Sequence, residues 1–202
     1  LGPVKVMFPL VTTPAEFRRA KFFLNDVMED LRDEGVKVDP EIPVGMMVEV
    51  PAAALVADQF AQQAAFFSIG TNDLVQYTLA VDRTNELVAG MYNPANPAVL
   101  RLIKDTVRAA QTGGIPVSCC GESAGELDTA MLLIGLGLRS LSASHASLPA
   151  LKRLIRSVSI QQCEEVAQRV TRLDSDVAAS TYLREVTRKI IPEAFDGRAA
   201  ED

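Results

Sequence analysis

The chain has 202 residues, 48% hydrophobic and 23% charged, which is the balance of a folded globular protein with a sizeable core and not of a disordered segment. A net charge of −6 and a pI near 4.9 argue against a nucleic-acid binder, since no Lys/Arg stripe offsets the acidity. The longest apolar runs, "VGMMVEVPAAALVA" and "AMLLIGLGL", are short or interrupted by Pro, Glu or Gly, so the sequence offers no membrane span.

The first residues, "LGPVKVMFPL", start without Met and in mid-strand, and they lack the charged region and cleavage site of a signal peptide. The expectation is a piece of a longer protein. Three cysteines, two of them adjacent, make no disulfide framework and point to a reducing cytoplasm. One histidine and no Cys-x-x-Cys spacing leave no zinc site.

In chain order, β-type runs alternate with helix-period stretches. "VKVMFPLV" (4–11) leads to a helix from about Pro14 to Glu34. "VGMMVEV" (44–50) leads past Pro51 to "AAALVADQFAQQ", and "AAFFSIG" (64–70) leads to "DLVQYTLAVDR". A further helix ends at Gly113-Gly114; "IPVSCCG" (115–121) then leads to "GELDTAMLLIGLGL", and "LRSLSAS" (138–144) to "LPALKRLIRSV". Five such units with nearly continuous apolar strands predict parallel pairing with both faces covered.

A doubly wound sheet and a (β/α)8 barrel both fit that grammar. Polar residues at successive strand ends favour the barrel: Glu49, Asn72-Asp73, Cys120 with Glu122, and Ser142 with Ser144. No G-x-G-x-x-G occurs, which disfavours a dinucleotide site. Five units do not close a barrel. The expectation is therefore the C-terminal portion of an N-terminally truncated (β/α)8 TIM barrel over residues 1–160. A more polar helical segment fills 161–202, and its tail, "FDGRAAED", reads as disordered.

Glu49, flanked by Val48 and Val50, faces a large desolvation cost unless it is paired or metal-bound. Pro51 already supplies the first-turn residue of the next helix, so Glu49 has no evident capping duty. Asn72-Asp73 reads as a helix N-cap or as a ligand pair. With Glu49 on a neighbouring strand end, Asp73 gives two hard oxygen donors, the way proteins hold Mg2+ with water and substrate oxygens. Asn72 then donates to an anionic group. Arg83, placed near the end of its helix, is a dipole partner or a phosphate or carboxylate ligand. Alternation turns Cys119 and Cys120 to opposite faces, so at most one faces the barrel mouth. A thiol is mostly protonated at neutral pH and serves as proton donor or nucleophile. His145 reads as structural or solvated.

Together "VMFPLV", "GMMVEVPAAA", "FFSIGTNDLVQYTLAVDR", "CCGESAGE" and "LPALKRLIRS" resemble the phosphoenolpyruvate-utilising enzyme family, most closely its Enzyme I branch from the bacterial sugar phosphotransferase system. The likeness runs in order from about residue 3 to residue 160. It implies a phosphoenolpyruvate-binding (β/α)8 barrel in which Glu49 and Asp73 ligate Mg2+, Asn72 and Arg83 contact the phosphate, and Cys120 protonates the pyruvate enolate. It further implies phosphoryl transfer to a histidine of an N-terminal domain and on to a histidine-containing phosphocarrier protein, in a cytoplasmic homodimer. The phosphorylatable histidine has no counterpart here, since His145 sits in another context, and Ala143 in "SASHASLP" departs from the family's usual "SMS". Two rivals accompany this reading: an Mg2+-enolate lyase or aldolase barrel, and a non-catalytic phosphoenolpyruvate-sensing or dimerisation fragment.

Overall fold

The computed structural model describes residues 4–194. Four strands, β1 (Val6–Phe8), β2 (Val44–Val48), β3 (Phe67–Gly70) and β4 (Val117–Cys120), form one parallel sheet in the order β1-β2-β3-β4. Each strand lies beside its predecessor with a helical crossover between them. That is the progression of a barrel wall, without the reversal of strand order that marks a doubly wound sheet.

Register sorts the strand residues onto two faces. Met46 pairs with Phe67, Val48 with Ile69, and Ile69 with Cys119; all five are fully buried beneath the helices. Met47 pairs with Ser68, Ser68 with Ser118, and Gly70 with Cys120, so the opposite, barrel-interior face carries the polar side chains.

The strands are shorter than the apolar runs that announce them. β1 stops at Phe8 because Pro9 has no N–H for the ladder, and Leu10 then turns into the left-handed region at φ 53°. The expected fifth strand shrinks to one bridge, between Cys119 and Leu141. Backbone bonds on either side of Cys119 hold it, from its N–H to the Ser140 carbonyl (3.0 Å) and from the Ser142 N–H to its carbonyl (2.8 Å). Among the described residues nothing pairs with the other edge of this segment, and a ladder with one partner does not extend through Ser142–His145.

Helix α1 (Pro14–Asp33) starts where the Thr13 hydroxyl accepts from the Glu16 N–H, with Pro14 in the first turn. It buries Phe17, whose ring meets Phe8 and Phe60 edge-on at centroid distances of 6.4 and 6.2 Å. The stretch after Pro51 is two short helices, α2 (Pro51–Leu55) and α3 (Ala57–Ala61), and not the single helix expected. β-branched Val56 leaves helical geometry (φ −119°, ψ 29°) and divides them. Helix α4 (Thr71–Leu79) ends at Ala80 in the left-handed conformation, three residues short of Arg83.

Helix α5 (Pro97–Thr112) is capped by Asn96, whose side chain accepts from the Ala98 N–H, and closes on Gly113. Helix α6 (Leu127–Gly135) buries residues from Thr129 to Ile134 without a polar face, as a helix packed on all sides does. Helices α7 (Leu148–Ser157), α8 (Ile160–Val170) and α9 (Asp176–Ile190) all pack on it. The C-terminal segment therefore begins as a well-formed helical layer, with a full capping box of Ser159 and Gln162 at the start of α8. The tail expected to be disordered, 195–202, lies outside the described residues. Among the described residues no helix is long and apolar enough to cross a membrane.

Candidate active site at the strand C-termini

Glu49 immediately follows β2 and is only 3% exposed. Its Oε1 accepts from the Leu10 N–H at 2.7 Å, a bond made possible by the left-handed turn at Leu10. Burial pushes the Glu49 carboxyl up, the Leu10 bond partly opposes this, and the charge and hydrogen-bond contact of Asp73 push it up further. Glu49 and Asp73 therefore meet, carboxyl against carboxyl, at the ends of neighbouring strands. Gly70 makes the approach possible: a Cβ there would stand 2.7 Å from Glu49 Oε2 and 2.9 Å from Met47 Sδ.

Two crowded carboxylates, one of them desolvated, suit a divalent cation. Among the described residues no group of three or more His, Cys, Asp or Glu gathers anywhere. A protein donor set of two oxygens, completed by water and substrate, matches Mg2+ better than a zinc or calcium cage.

Asn72 and Asp73 are not the expected N-cap. Helix α4 begins at Thr71, with Gly70 in the cap position and no side-chain capping bond. The side chains are thereby free for other tasks. Thr71 Oγ1 donates to the Cys120 carbonyl at 3.0 Å, and Asn72 Oδ1 accepts from the Glu122 N–H at 3.0 Å. With Oδ1 engaged, Nδ2 is the end of Asn72 left for a ligand. Gly121, at φ 99°, is required beneath it, because a Cβ would lie 2.8 Å from Asn72 Oδ1.

Cys120 closes β4, half-buried, while Cys119 is fully buried on the other face, as alternation predicts. Burial, and secondarily its neighbour Cys120, push the Cys119 thiol well up, so it is an inert core residue. Cys120 Sγ accepts from Ser68 Oγ at 3.4 Å and donates to the Ile69 carbonyl at 3.6 Å. It opens on a cleft of about 520 Å3, lined also by Asn72, Glu122, Ser142, Ser144 and Ser147.

The structure thus brings Glu49, Asp73, Asn72 and Cys120 to one rim. Arg83 is placed differently from its expected helical position. It is exposed in the turn after α4, its backbone N–H donating to Gln76 Oε1 at 3.3 Å, and it makes no ion pair among the described residues. Its charge is felt by Tyr92, whose phenol burial pushes up to about 12 and which donates to the Asn72 carbonyl at 3.4 Å. His145 is exposed.

Sequence reasoning passed over Ser68, Thr71 and Tyr92. Ser68 was within reach of the alternation argument, two residues before Gly70 on the same face. Tyr92 carries no local signal, standing 20 residues from the carbonyl it meets.

The chain is similar to known proteins in sequence and in fold. Residues 1–160 match the family model described as PEP-utilising enzyme, PEP-binding domain. The phosphoenolpyruvate-protein phosphotransferase of Staphylococcus carnosus (strain TM300) is 42% identical over 187 residues, covering 93% of this chain and 33% of that protein. Its counterpart in Priestia megaterium is 49% identical over 158 residues, covering 78% and 28%. That of Bacillus subtilis (strain 168) is 42% identical over 184 residues, covering 91% and 32%. The chain spans about a third of the length of these curated relatives. A crystal structure of a citrate lyase from Burkholderia xenovorans LB400 aligns with all of this chain and 66% of its own, with a TM-score of 0.55 at 16% identity, a likeness that bears on fold alone. Strand order, polar strand ends and that likeness agree on part of a (β/α)8 barrel. The chain belongs to the phosphoenolpyruvate-utilising enzymes, as part of their phosphoenolpyruvate-binding domain.

Proposed function

We propose that the chain is the catalytic-barrel portion of a phosphoenolpyruvate–protein phosphotransferase, which moves the phosphoryl group of phosphoenolpyruvate to a protein histidine and releases pyruvate. The observation that carries the reading is the convergence of two abutting carboxylates, an oriented amide and a half-buried thiol on one strand-end rim.

Glu49 and Asp73 would hold Mg2+, which when bound supplies positive charge to the phosphoryl oxygens and to the enolate oxygen left behind. Asn72, its Oδ1 committed to the Glu122 N–H, presents Nδ2 to the phosphate. Arg83, exposed in the turn after α4, is the second phosphate donor, reaching the ligand with its long side chain. Cys120 gives its proton to the methylene carbon of the enolate, completing pyruvate. The one histidine of the sequence, His145, is exposed in the "SASHASLP" segment and not in the context of the family's phosphorylated histidine, so the acceptor is assigned to another domain. Residues 1–160 carry the chemistry, and the described part of 161–202 buttresses it through α6. The working unit is a cytoplasmic homodimer that passes the phosphoryl group on to a small histidine-containing phosphocarrier protein.

A chimera tests this reading. This chain replaces the matching segment of the Staphylococcus carnosus phosphotransferase, and phosphate label is followed from phosphoenolpyruvate to the phosphocarrier. The expected result is a labelled phosphocarrier with the chimera and no self-labelling of the 202-residue chain alone. A folded chimera that binds phosphoenolpyruvate and transfers nothing would favour a sensing or dimerisation module instead.

A further inference from the structure

Ser68 is 7% exposed on the barrel-interior face of β3, and its hydroxyl goes to an unusual place. A buried serine in a sheet ordinarily gives its proton to a carbonyl oxygen. Its register partner Ser118 does so, donating to the Phe67 carbonyl at 3.3 Å. Ser68 Oγ instead donates to Cys120 Sγ at 3.4 Å, across the strand pair in which Gly70 is the register partner of Cys120. A neutral thiol sulfur is a weak acceptor, so little of the hydroxyl's hydrogen-bonding capacity is used at rest. A thiolate is a strong one. The hydroxyl is therefore aimed at a charge that exists only after Cys120 has lost its proton, which is the signature of preorganised stabilisation. The Ile69 carbonyl takes the S–H at 3.6 Å, so the sulfur is held by two groups of β3.

We propose that Ser68 is a positioning residue for Cys120: its hydroxyl fixes the sulfur at the floor of the cleft and stabilises the thiolate formed when the proton leaves. The inference rests on the donor role given to Cys120 above. In that step the S–H bond breaks with its electron pair remaining on sulfur, and the proton bonds to the methylene carbon through the π pair of the enolate. Thiol and enolate become thiolate and pyruvate. The Ser68 O–H bond to sulfur strengthens as the charge appears, and water in the open cleft returns the proton to sulfur afterwards.

The test uses the whole 202-residue chain and iodoacetamide, which reacts with thiolate, with the modified cysteine located by fragment mass spectrometry. Cys119 and Cys163 are buried and give a low background. At one mildly alkaline pH, Ser68→Ala is expected to slow alkylation of Cys120 by about fivefold, the worth of one hydrogen bond. Ser68→Thr, which keeps the hydroxyl, restores the rate, and Ser118→Ala leaves it unchanged. A Ser68→Ala rate equal to or above the unmutated rate overturns the proposal.

Should Ser68→Ala not fold, Ser68→Gly takes its place with the same slowing of Cys120 alkylation expected, and a Ser68→Gly rate equal to or above the unmutated rate overturns the proposal. This readout does not depend on turnover. Full phosphotransferase activity of a Cys120→Ser chimera would remove the donor role while leaving the Ser68–Cys120 bond as measured.

Discussion

At the scale of single residues the site is set by one unfavourable contact, the meeting of Glu49 and Asp73. Burial first, and Asp73 in addition, raise the folded-state pKa of Glu49 above its ordinary value near 4.5. The folded chain therefore holds this proton more tightly than the unfolded chain does. Stability from this group is fully present below the ordinary carboxyl value and is lost as pH rises through the raised one. Glu49→Gln keeps an oxygen for the Leu10 N–H and removes the charge. Without divalent cation at pH 7 it is expected to melt at a higher temperature than the unmutated chain, and the gap closes on acidification towards pH 4.5. Millimolar Mg2+ raises the melting temperature of the unmutated chain and leaves that of Glu49→Gln unmoved. A variant less stable at pH 7 without metal would mean that the carboxylate is compensated by groups other than a cation.

What was legible at this scale follows the same physics. Glu49, Asp73 and Cys120 stood out because a carboxylate or thiol at the end of an apolar strand is costly or idle without a partner, and the fold places all three on one rim. Arg83 was readable as a charge but not as a position, because nothing in "YTLAVDR" says that Ala80 turns left-handed and ends the helix early. Ser68 was hidden by its own ordinariness, a small polar residue inside an apolar strand. Tyr92 reaches Asn72 only through the folding of the long segment between α4 and α5.

Among elements, α6 joins the sheet to the C-terminal layer. Its last residue, Gly135, lies so close to α8 that a Cβ would run into the Cys163 carbonyl, a backbone atom that cannot rotate away. Gly135→Ala gains helix propensity and loses this approach. The clash is expected to win, destabilising the chain by about 1–3 kcal/mol in urea unfolding. A midpoint equal to or above that of the unmutated chain would show that the two helices part without strain. The alternation of strand and helix was readable from periodicity, as was the start of α1 at Thr13-Pro14. Strand lengths were not, because a ladder depends on the neighbouring strand: Pro9 cuts β1, and among the described residues the segment 138–144 is paired on one edge only. The break at Val56 was equally invisible, since both halves of "AAALVADQFAQQ" have helical composition.

For the whole molecule, sequential parallel order places the polar strand ends of residues distant in sequence side by side, and that arrangement turns isolated oddities into a site. If these residues interconvert phosphoenolpyruvate and pyruvate as proposed, label placed in pyruvate reaches phosphoenolpyruvate. The most direct measurement is exchange of carbon label from pyruvate into phosphoenolpyruvate, catalysed by the chimera with the Staphylococcus carnosus phosphotransferase and by its Cys120→Ser variant. Exchange is expected in the first and a loss of about a hundredfold or more in the second, the range of a positioned general acid. Exchange at the full rate in Cys120→Ser, or none in a folded chimera with Cys120 intact, would overturn the assignment of these residues.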